Sequence, residues 1–293
     1  MLEFKKIDIN DKELYSGFFK KTKELSCENT FVNMLVWQCA YNNMLAFSNG
    51  QLFIKSGSGK RESFRLPVGG NLKEGIRRIE EYSTKGSPVF WVQEGPGFEE
   101  FKALFGSEYS FFEQRDAFDY IYLQSDLAEL SGKKYHSKRN HISAFSKKYD
   151  WRYESLSRDN IDSIRLCAEE WYIQNADRLT PSMQCERNGV ETILNNIERL
   201  DVKGGAIYVG EKAVAFTLGS ALSDEVFDIH IEKALGDYAG AYTVINREFA
   251  ANALKDYKYI NREDDMGLEG LRKAKLSYKP AILLKKYRCE KIG

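Results

Sequence analysis

The feature that most limits how this chain can fold is an order of elements that occurs twice. Apolar periodicity and turn residues predict for the first half a strand over 2–7 and helices over 12–25 and 30–41. Three strands follow at 44–48, 51–55 and 63–67, separated by the turns Asn49-Gly50 and Gly57–Gly59. A helix over 72–84, a strand over 88–93, a helix over 98–104 and a strand over 120–123 complete that half. The second half reads strand 151–156, helices 159–174 and 190–200, and a hairpin of 206–209 with 213–218 across Gly210-Glu211-Lys212. It ends with strand 225–232, helix 242–254, strand 257–260, helix 266–277 and strand 281–287. Both halves are β-α-α-β-β-β-α-β-α-β, a repeat of pattern without residue identity. Hairpins followed by βαβ steps predict an α/β fold of the α+β mixed-sheet kind, with helices on both faces. Two units are expected, 1–125 and 126–293.

A length of 293 residues agrees with two units, since single cores rarely grow so large. Net charge is zero, so any surface for nucleic acid must be local. The five cysteines, at 27, 39, 167, 185 and 289, form no CxxC pair and no Cys/His ligand spacing. Neither a disulfide nor structural zinc is expected, which suits a reducing cytoplasm. The start, Met-Leu-Glu-Phe-Lys-Lys, lacks a signal-peptide core, and no 18-residue apolar run exists to cross a bilayer. Residues 29–54 carry no charge, but the asparagines at 29, 33, 42, 43 and 49 interrupt them too often for a span. A buried helix followed by a strand is expected there; a surface that dips into lipid headgroups is the other reading.

Three features carry chemistry. The first is the run from Tyr257, where three carboxylates, Glu263, Asp264 and Asp265, precede the helix 266–277 at a position that favours anions. Leu268, Leu271 and Leu276 define an inward stripe that also contains Arg272 and Lys275. Gly267 and Gly270 suggest close backbone approach. Cations on such a stripe need partners, either the carboxylate trio or an anionic substrate in a cleft. The second feature is the segment 131–148, with six lysines and arginines, two histidines and no acid. Lys138 and Arg139 lie on or beside its apolar face and are candidates for phosphate or carboxylate contact. A solvated basic helix, RNA backbone and anionic lipid all remain open. The third is strand 225–232, where Asp228, His230 and Glu232 alternate with Phe227, Ile229 and Ile231. Three ionisable groups on one face of a central strand predict an open cleft. An edge strand or a structural His230–carboxylate pair are the alternatives.

The doubled element order resembles the GNAT (N-acetyltransferase) fold used twice, in which the strand matching 225–232 lines the active site. GNAT enzymes hold coenzyme A pyrophosphate with a basic, glycine-rich turn before the next helix. Here the turn is Leu235-Gly236-Asp237-Tyr238-Ala239-Gly240-Ala241-Tyr242. It lacks the basic residue, and Asp237 would repel a pyrophosphate or meet an α-amino group. Two segments sharpen the resemblance: Gly132-Lys-Lys-Tyr-His-Ser-Lys-Arg-Asn-His-Ile, and Asn261-Arg-Glu-Asp-Asp-Met-Gly-Leu-Glu-Gly-Leu-Arg-Lys-Ala-Lys-Leu-Ser-Tyr-Lys-Pro280. Together they are similar to the C-terminal domain of phosphatidylglycerol lysyltransferases, tandem GNAT-like proteins related in fold to Fem peptidyltransferases.

The resemblance covers nearly the whole chain. It implies transfer of an aminoacyl group from aminoacyl-tRNA, in the membrane enzymes to a phosphatidylglycerol hydroxyl. Arg272–Leu276 is similar to their basic helix, Pro280 to the exit into the last strand, and Asp228 to the acid of their active-site strand. The chain departs in lacking a multi-span membrane portion and the arginine that closely follows that acid. An aminoacyl ester is already activated, so transfer needs alignment, acceptor deprotonation and oxyanion stabilisation. The catalytic candidates are Asp228, His230, Glu263, Asp264, Arg272 and Lys275. Lys138, Arg139, Glu232, Asp237, Tyr242, Asn261, Arg262 and Tyr278 form the substrate-binding set, with no metal and no resident cofactor. A coenzyme A-dependent N-acyltransferase and a non-catalytic binding module are the alternative classes. A cytoplasmic protein with peripheral contact to anionic lipid at the inner membrane face is the expected setting.

Overall fold

The computed structural model describes residues 2–20, 22–83 and 87–292. Its first half contains β1 (Lys5–Lys6), α1 (Lys12–Phe19), α2 (Phe31–Val36), α3 (Gln38–Tyr41), β2 (Met44–Ser48), β3 (Gln51–Ser56) and β4 (Ser63–Phe64). There follow α4 (Leu72–Tyr82), β5 (Val89–Gln93), α5 (Pro96–Phe105), β6 (Tyr109–Glu113), β7 (Asp119–Leu123), α6 (Gln124–Glu129) and α7 (His136–Lys148). The second half continues with β8 (Trp151–Ser155), α8 (Ile161–Gln174), α9 (Pro181–Leu194), α10 (Ile197–Leu200), β9 (Lys203–Val209), β10 (Lys212–Ala221) and β11 (Val226–Ala234). It closes with α11 (Ala241–Ala253), β12 (Tyr259–Asn261), α12 (Glu269–Leu276), β13 (Ile282–Leu284) and β14 (Lys286–Lys291). Residue 84, the last expected in the helix from 72, and residue 21, inside the helix expected over 12–25, lie outside the described residues.

The strands form two mixed seven-stranded sheets, β1-β2-β3-β4-β5-β14-β6 and β13-β7-β12-β11-β10-β9-β8. This is the expected mixed α/β architecture. Two strands cross the boundary expected at 125/126. Strand β7 joins the second sheet between β13 and β12, while β14 inserts between β5 and β6 of the first. The single strand expected over 281–287 is two strands, parted at Lys285 and belonging to different sheets.

Alternation along the strands sorts side chains to the two faces of each sheet. In β3, Leu52 and Ile54 join one core, while Phe53 faces away into another with Phe64, Phe90 and Phe101. The first of these cores belongs to both halves: Tyr15, Phe31 and Met34 pack with Ile164, Val190 and Phe216. Burying so much apolar surface between the sheets joins the halves into one body. Gly189 of α9 allows a close approach, since a Cβ there would lie 2.4 Å from Val36 Cγ1 of α2. Beside it, Cys39 of α3 and Cys185 of α9 form a disulfide. This corrects the expectation of none: cysteines 146 positions apart are brought to a Cα separation of 5.8 Å by the packing of the halves, which no local spacing reveals. The charge-free stretch 29–54 is helix and strand, with most of α2 and β3 buried. Among the described residues no helix is long and apolar enough to cross a membrane.

Candidate functional site

Strict alternation would put Asp228, His230 and Glu232 on one face of β11. The register against β10 prevents this. Leu218 lies opposite Ile231 and Gly219 opposite Ile229, so His230 is an extra residue, a β-bulge. Before the bulge Phe227 and Ile229 pack with Phe249 of α11; after it Ile231 joins the core shared between the halves. The single polar face is therefore corrected. Asp228 and His230 face the first half, whereas Glu232 accepts from Asn246 of α11 at 3.1 Å. Gly219 makes the bulge possible, because a Cβ there would meet Asp228 O at 2.3 Å.

On the inward side the bulge gathers a buried cluster. His230 Nδ1 lies 3.3 Å from Asp228 Oδ2 and 3.4 Å from Glu263 Oε1, and its Nε2 is 2.8 Å from Ser220 Oγ. Thr30 Oγ1 donates to Asp228 Oδ2 at 3.2 Å, and Asn33 Nδ2 donates to Glu263 Oε1 at 2.8 Å. Asp228 Oδ1 is buried without a hydrogen-bond partner among the described residues. Burial works against the His230 imidazolium, yet Asp228 and Glu263 outweigh it and hold the ring up to about 9. Burial raises both carboxyls above their ordinary range. The three ligand atoms lie within 4.8 Å of one another, a spacing that suits a divalent cation if the imidazole is neutral. Glu263 adopts φ +57°, uncommon for a non-glycine residue and a form of backbone strain that concentrates at functional sites. Asn261 Oδ1 accepting from Glu263 N at 2.7 Å holds that turn.

Behind the cluster lies a second polar network where the sheets exchange strands. Asp119 of β7 accepts from Cys27 N (2.9 Å), Asn261 Nδ2 (3.0 Å) and Lys286 Nζ of β14 (2.7 Å). Lys286 also pairs with Glu28 at 2.8 Å. Burial opposes the Lys286 charge, but Asp119, Cys27 and Glu28 overcome it and push its pKa well up. Cys27, Glu28 and Asp119 also have metal-ligand spacing, but the Lys286 ammonium already supplies their countercharge.

The remaining expected residues scatter around these networks. Helix α12 starts at Glu269, later than expected, because Asp264 and Asp265 accept from Met266 N and Gly267 N and make turns ahead of it. Its stripe is corrected too: Leu268 and Leu276 are exposed, and Lys275 is the buried residue. Arg272 is neutralised by Asp265 and Asp116, at 2.8 and 2.7 Å. Lys275 Nζ donates to the carbonyls of Arg262 (2.5 Å) and Asp264, bracing the backbone on both sides of Glu263. Burial, aided by Arg262, lowers its pKa. Asp264 is raised by burial to about 7, against the pull of Lys286. Gly267, at φ +73°, abuts Asp116, whereas Gly270 has open space about it.

Strands β11 and β12 pair in parallel from Val226/Tyr259 to Asp228/Asn261 and then part. Arg262 fills the gap, bound to Glu232 at 2.7 Å over the ring of Tyr278. Lys138 of α7 reaches the same ring, 3.7 Å from its centroid, and burial with Arg262 nearby lowers its pKa to about 8. Arg262 Nη1 is buried and unpartnered among the described residues. Arg139 instead donates to the carbonyls of Leu130 (2.5 Å) and Gly132 (2.8 Å), away from this group. Asp237 and Tyr242 are exposed on the turn and first residues of α11, where Gln174 Nε2 reaches Asp237 at 3.2 Å. Sequence reasoning missed Cys27, Glu28, Thr30, Asn33, Asp119, Ser220 and Lys286. A lysine inside the last β-rich run and two polar residues opening an otherwise apolar, charge-free stretch were the available signals.

Known proteins share this fold. Residues 19–290 match the family described as phosphatidylglycerol lysyltransferase, C-terminal. A conserved protein of unknown function from Bacteroides thetaiotaomicron has a crystal structure similar over 100% of both chains, at 37% identity and TM-score 0.92. The C-terminal domain of a putative lysylphosphatidylglycerol synthetase from Agrobacterium fabrum shares the fold at 13% identity and TM-score 0.67, over 96% of this chain and 91% of that one. An uncharacterized protein of Mycoplasmoides gallisepticum is 27% identical over 175 residues, 58% of this chain and 54% of its own. The chain thus spans about half the length of the curated relative it matches. With a family match across nearly its whole length, the chain belongs to the phosphatidylglycerol lysyltransferase C-terminal family.

Proposed function

We propose that the chain is an acyltransferase of the aminoacyl type, moving an amino acid from aminoacyl-tRNA to a nucleophilic acceptor. The observation that carries this reading is the buried Asp228–His230–Glu263 cluster, built on a bulge and a left-handed Glu263. Burial raises the Glu263 carboxyl, which makes it a stronger proton acceptor than a solvated glutamate. Glu263 takes the proton of the acceptor hydroxyl or amine as that atom bonds to the ester carbonyl carbon. The ester C–O bond then breaks, and the departing ribose hydroxyl takes up a proton. His230, held between the two carboxylates, orients Glu263, and Asp228 fixes His230. Lys138 and the free Nη1 of Arg262, on the α11 side of the sheet, offer donors to a phosphate of the tRNA. Lys275 and Arg272 act as positioning residues, one bracing 262–264 and the other anchoring Asp265.

Coenzyme A is disfavoured as the donor by the occupancy of the 235–242 turn. Gly236 N donates to Gln174 Oε1 at 3.0 Å, and the amides of Ala241, Thr243 and Val244 are bonded within the turn. Few backbone donors remain for a pyrophosphate.

The test is single-turnover transfer from a mixed pool of radiolabelled aminoacyl-tRNAs into a cell extract that supplies acceptors, with acetyl-coenzyme A run in parallel. Glu263→Gln is expected to slow aminoacyl transfer by about 10²–10⁴-fold while tRNA affinity stays unchanged. Aminoacyl transfer that persists in Glu263→Gln, or turnover of acetyl-coenzyme A with none of aminoacyl-tRNA, overturns the proposal. Transfer into a lipid fraction or into a water-soluble product identifies the acceptor and separates contact with anionic lipid from a purely soluble setting.

A further inference from the structure

The first half has its own opening where parallel strands part. Strands β4 and β5 pair in parallel only at Ser63/Val89 and Phe64/Phe90, then diverge toward α4 and α5. The crevice beyond the carboxyl ends of parallel strands is where α/β sheets receive ligands. Here it holds a cavity of about 200 Å³. Its floor and walls include Phe19, Ile54 and Val92, and Gly95 and Gly97 leave one side without side chains. Two buried donors on its lining are unpartnered among the described residues, Asn29 Nδ2 and Arg65 Nε. Asn29 is only 4% exposed. The nearest carboxylate pairing of Arg65 is with Glu28 at 3.6 Å, beyond hydrogen-bond length, and Glu28 is itself bound to Lys286. Buried donors left unmade are costly, so they mark a place for an acceptor.

We infer that this crevice binds a small zwitterion, a free α-amino acid, with its carboxylate on Arg65 and Asn29. Charge decides the class. The lining carries one cation, Arg65, and two carboxylates, Glu24 and Glu100. A dianion such as phosphate meets net repulsion there, whereas an ammonium group finds Glu24, which Gln93 holds at 2.6 Å. Size argues against larger ligands, since about 200 Å³ is smaller than a drug-sized site. Asn29 also adjoins Thr30, the residue that donates to Asp228, so this crevice and the cluster share one short segment. The inference concerns binding alone and stands whether or not the transfer chemistry above is correct.

Titration calorimetry of the whole chain tests it, with glycine, L-alanine, L-lysine and L-glutamate as probes and L-alanine methyl ester and inorganic phosphate as comparators. Saturable binding of at least one amino acid is expected, with the methyl ester and phosphate at least about tenfold weaker. Arg65→Lys keeps the charge but removes the Nε donor and should weaken binding about tenfold. Gly97→Leu fills the crevice from a backbone position whose added Cβ meets only Leu66 at 3.7 Å, so it should fold and abolish binding. No binding of any amino acid up to about 10 mM, equal binding of phosphate or ester, or binding unchanged in Gly97→Leu overturns the inference.

Discussion

Each half places an arginine just past one strand of a parallel pair, β12 in one and β4 in the other, and the two are treated oppositely. In the second half Arg262 is locked to Glu232 at 2.7 Å and shares the ring of Tyr278 with Lys138. In the first half Arg65 stands 3.6 Å from Glu28 and lines an open cavity. Equivalent topology thus gives one filled opening and one vacant one. The deciding factor is the residue on the neighbouring strand: the bulge at His230 turns Glu232 toward Arg262, while β3 and β5, the strands beside Arg65, contain no carboxylate.

Glu232→Ala tests the filled side most severely. It leaves Arg262 charged, buried and unpaired, so chemical denaturation should show a loss of about 3–5 kcal/mol. A loss below about 1 kcal/mol would mean that water reaches Arg262 and that the contrast between the openings is false. The next effect lies in pH dependence. Asp264 is raised by burial to about 7 from an ordinary 3.8, so the folded chain holds a proton that the unfolded chain has released. Stability from this group is complete below about pH 4 and is lost as pH rises through about 7. His230 acts in the same direction, with its contribution complete below about 6.5 and lost as pH rises through about 9. Asp264→Asn should therefore flatten the fall in urea midpoint between about pH 5 and pH 8, a relative gain on the order of 2 kcal/mol at the upper end. An unchanged slope would assign the fall to His230 and its partners. The smallest effect belongs to the vacant side. Arg65→Met removes a loosely paired, unmade donor and should change stability by less than about 1 kcal/mol. A loss near that of Glu232→Ala would show Arg65 to be structural.

Much of the fold was legible because it rests on local pattern. The alternation of β3, the hairpin of β9 and β10 and the amphipathic run of α4 each state their element within a few residues. The partners of β7 and β14 were hidden, since nothing in Asp119–Leu123 or Lys286–Lys291 says which sheet will take them. In the candidate site, Asp228, His230 and Glu263 were legible as ionisable groups in β-rich surroundings. It was illegible at Glu232, because one extra residue at a bulge reverses the face of everything after it. Asp119, Lys286 and Cys27 escaped for another reason: their role exists only where three distant segments meet.

The exchange of strands has a consequence for how the chain reaches its fold. Strand β6 pairs with β14, and β14 separates it from β5. During synthesis the first sheet therefore stays incomplete until residues 286–291 emerge, although β1 to β6 are made much earlier. The usual order, in which an early unit folds before a later one is finished, cannot run to completion here. The exposed edges of β5 and β6 must wait through the synthesis of more than half the chain, and in that interval they are open to pairing with other chains. The pairing of β14 with β5 and β6 thus adds contacts of high sequence separation that only a late part of the chain can make.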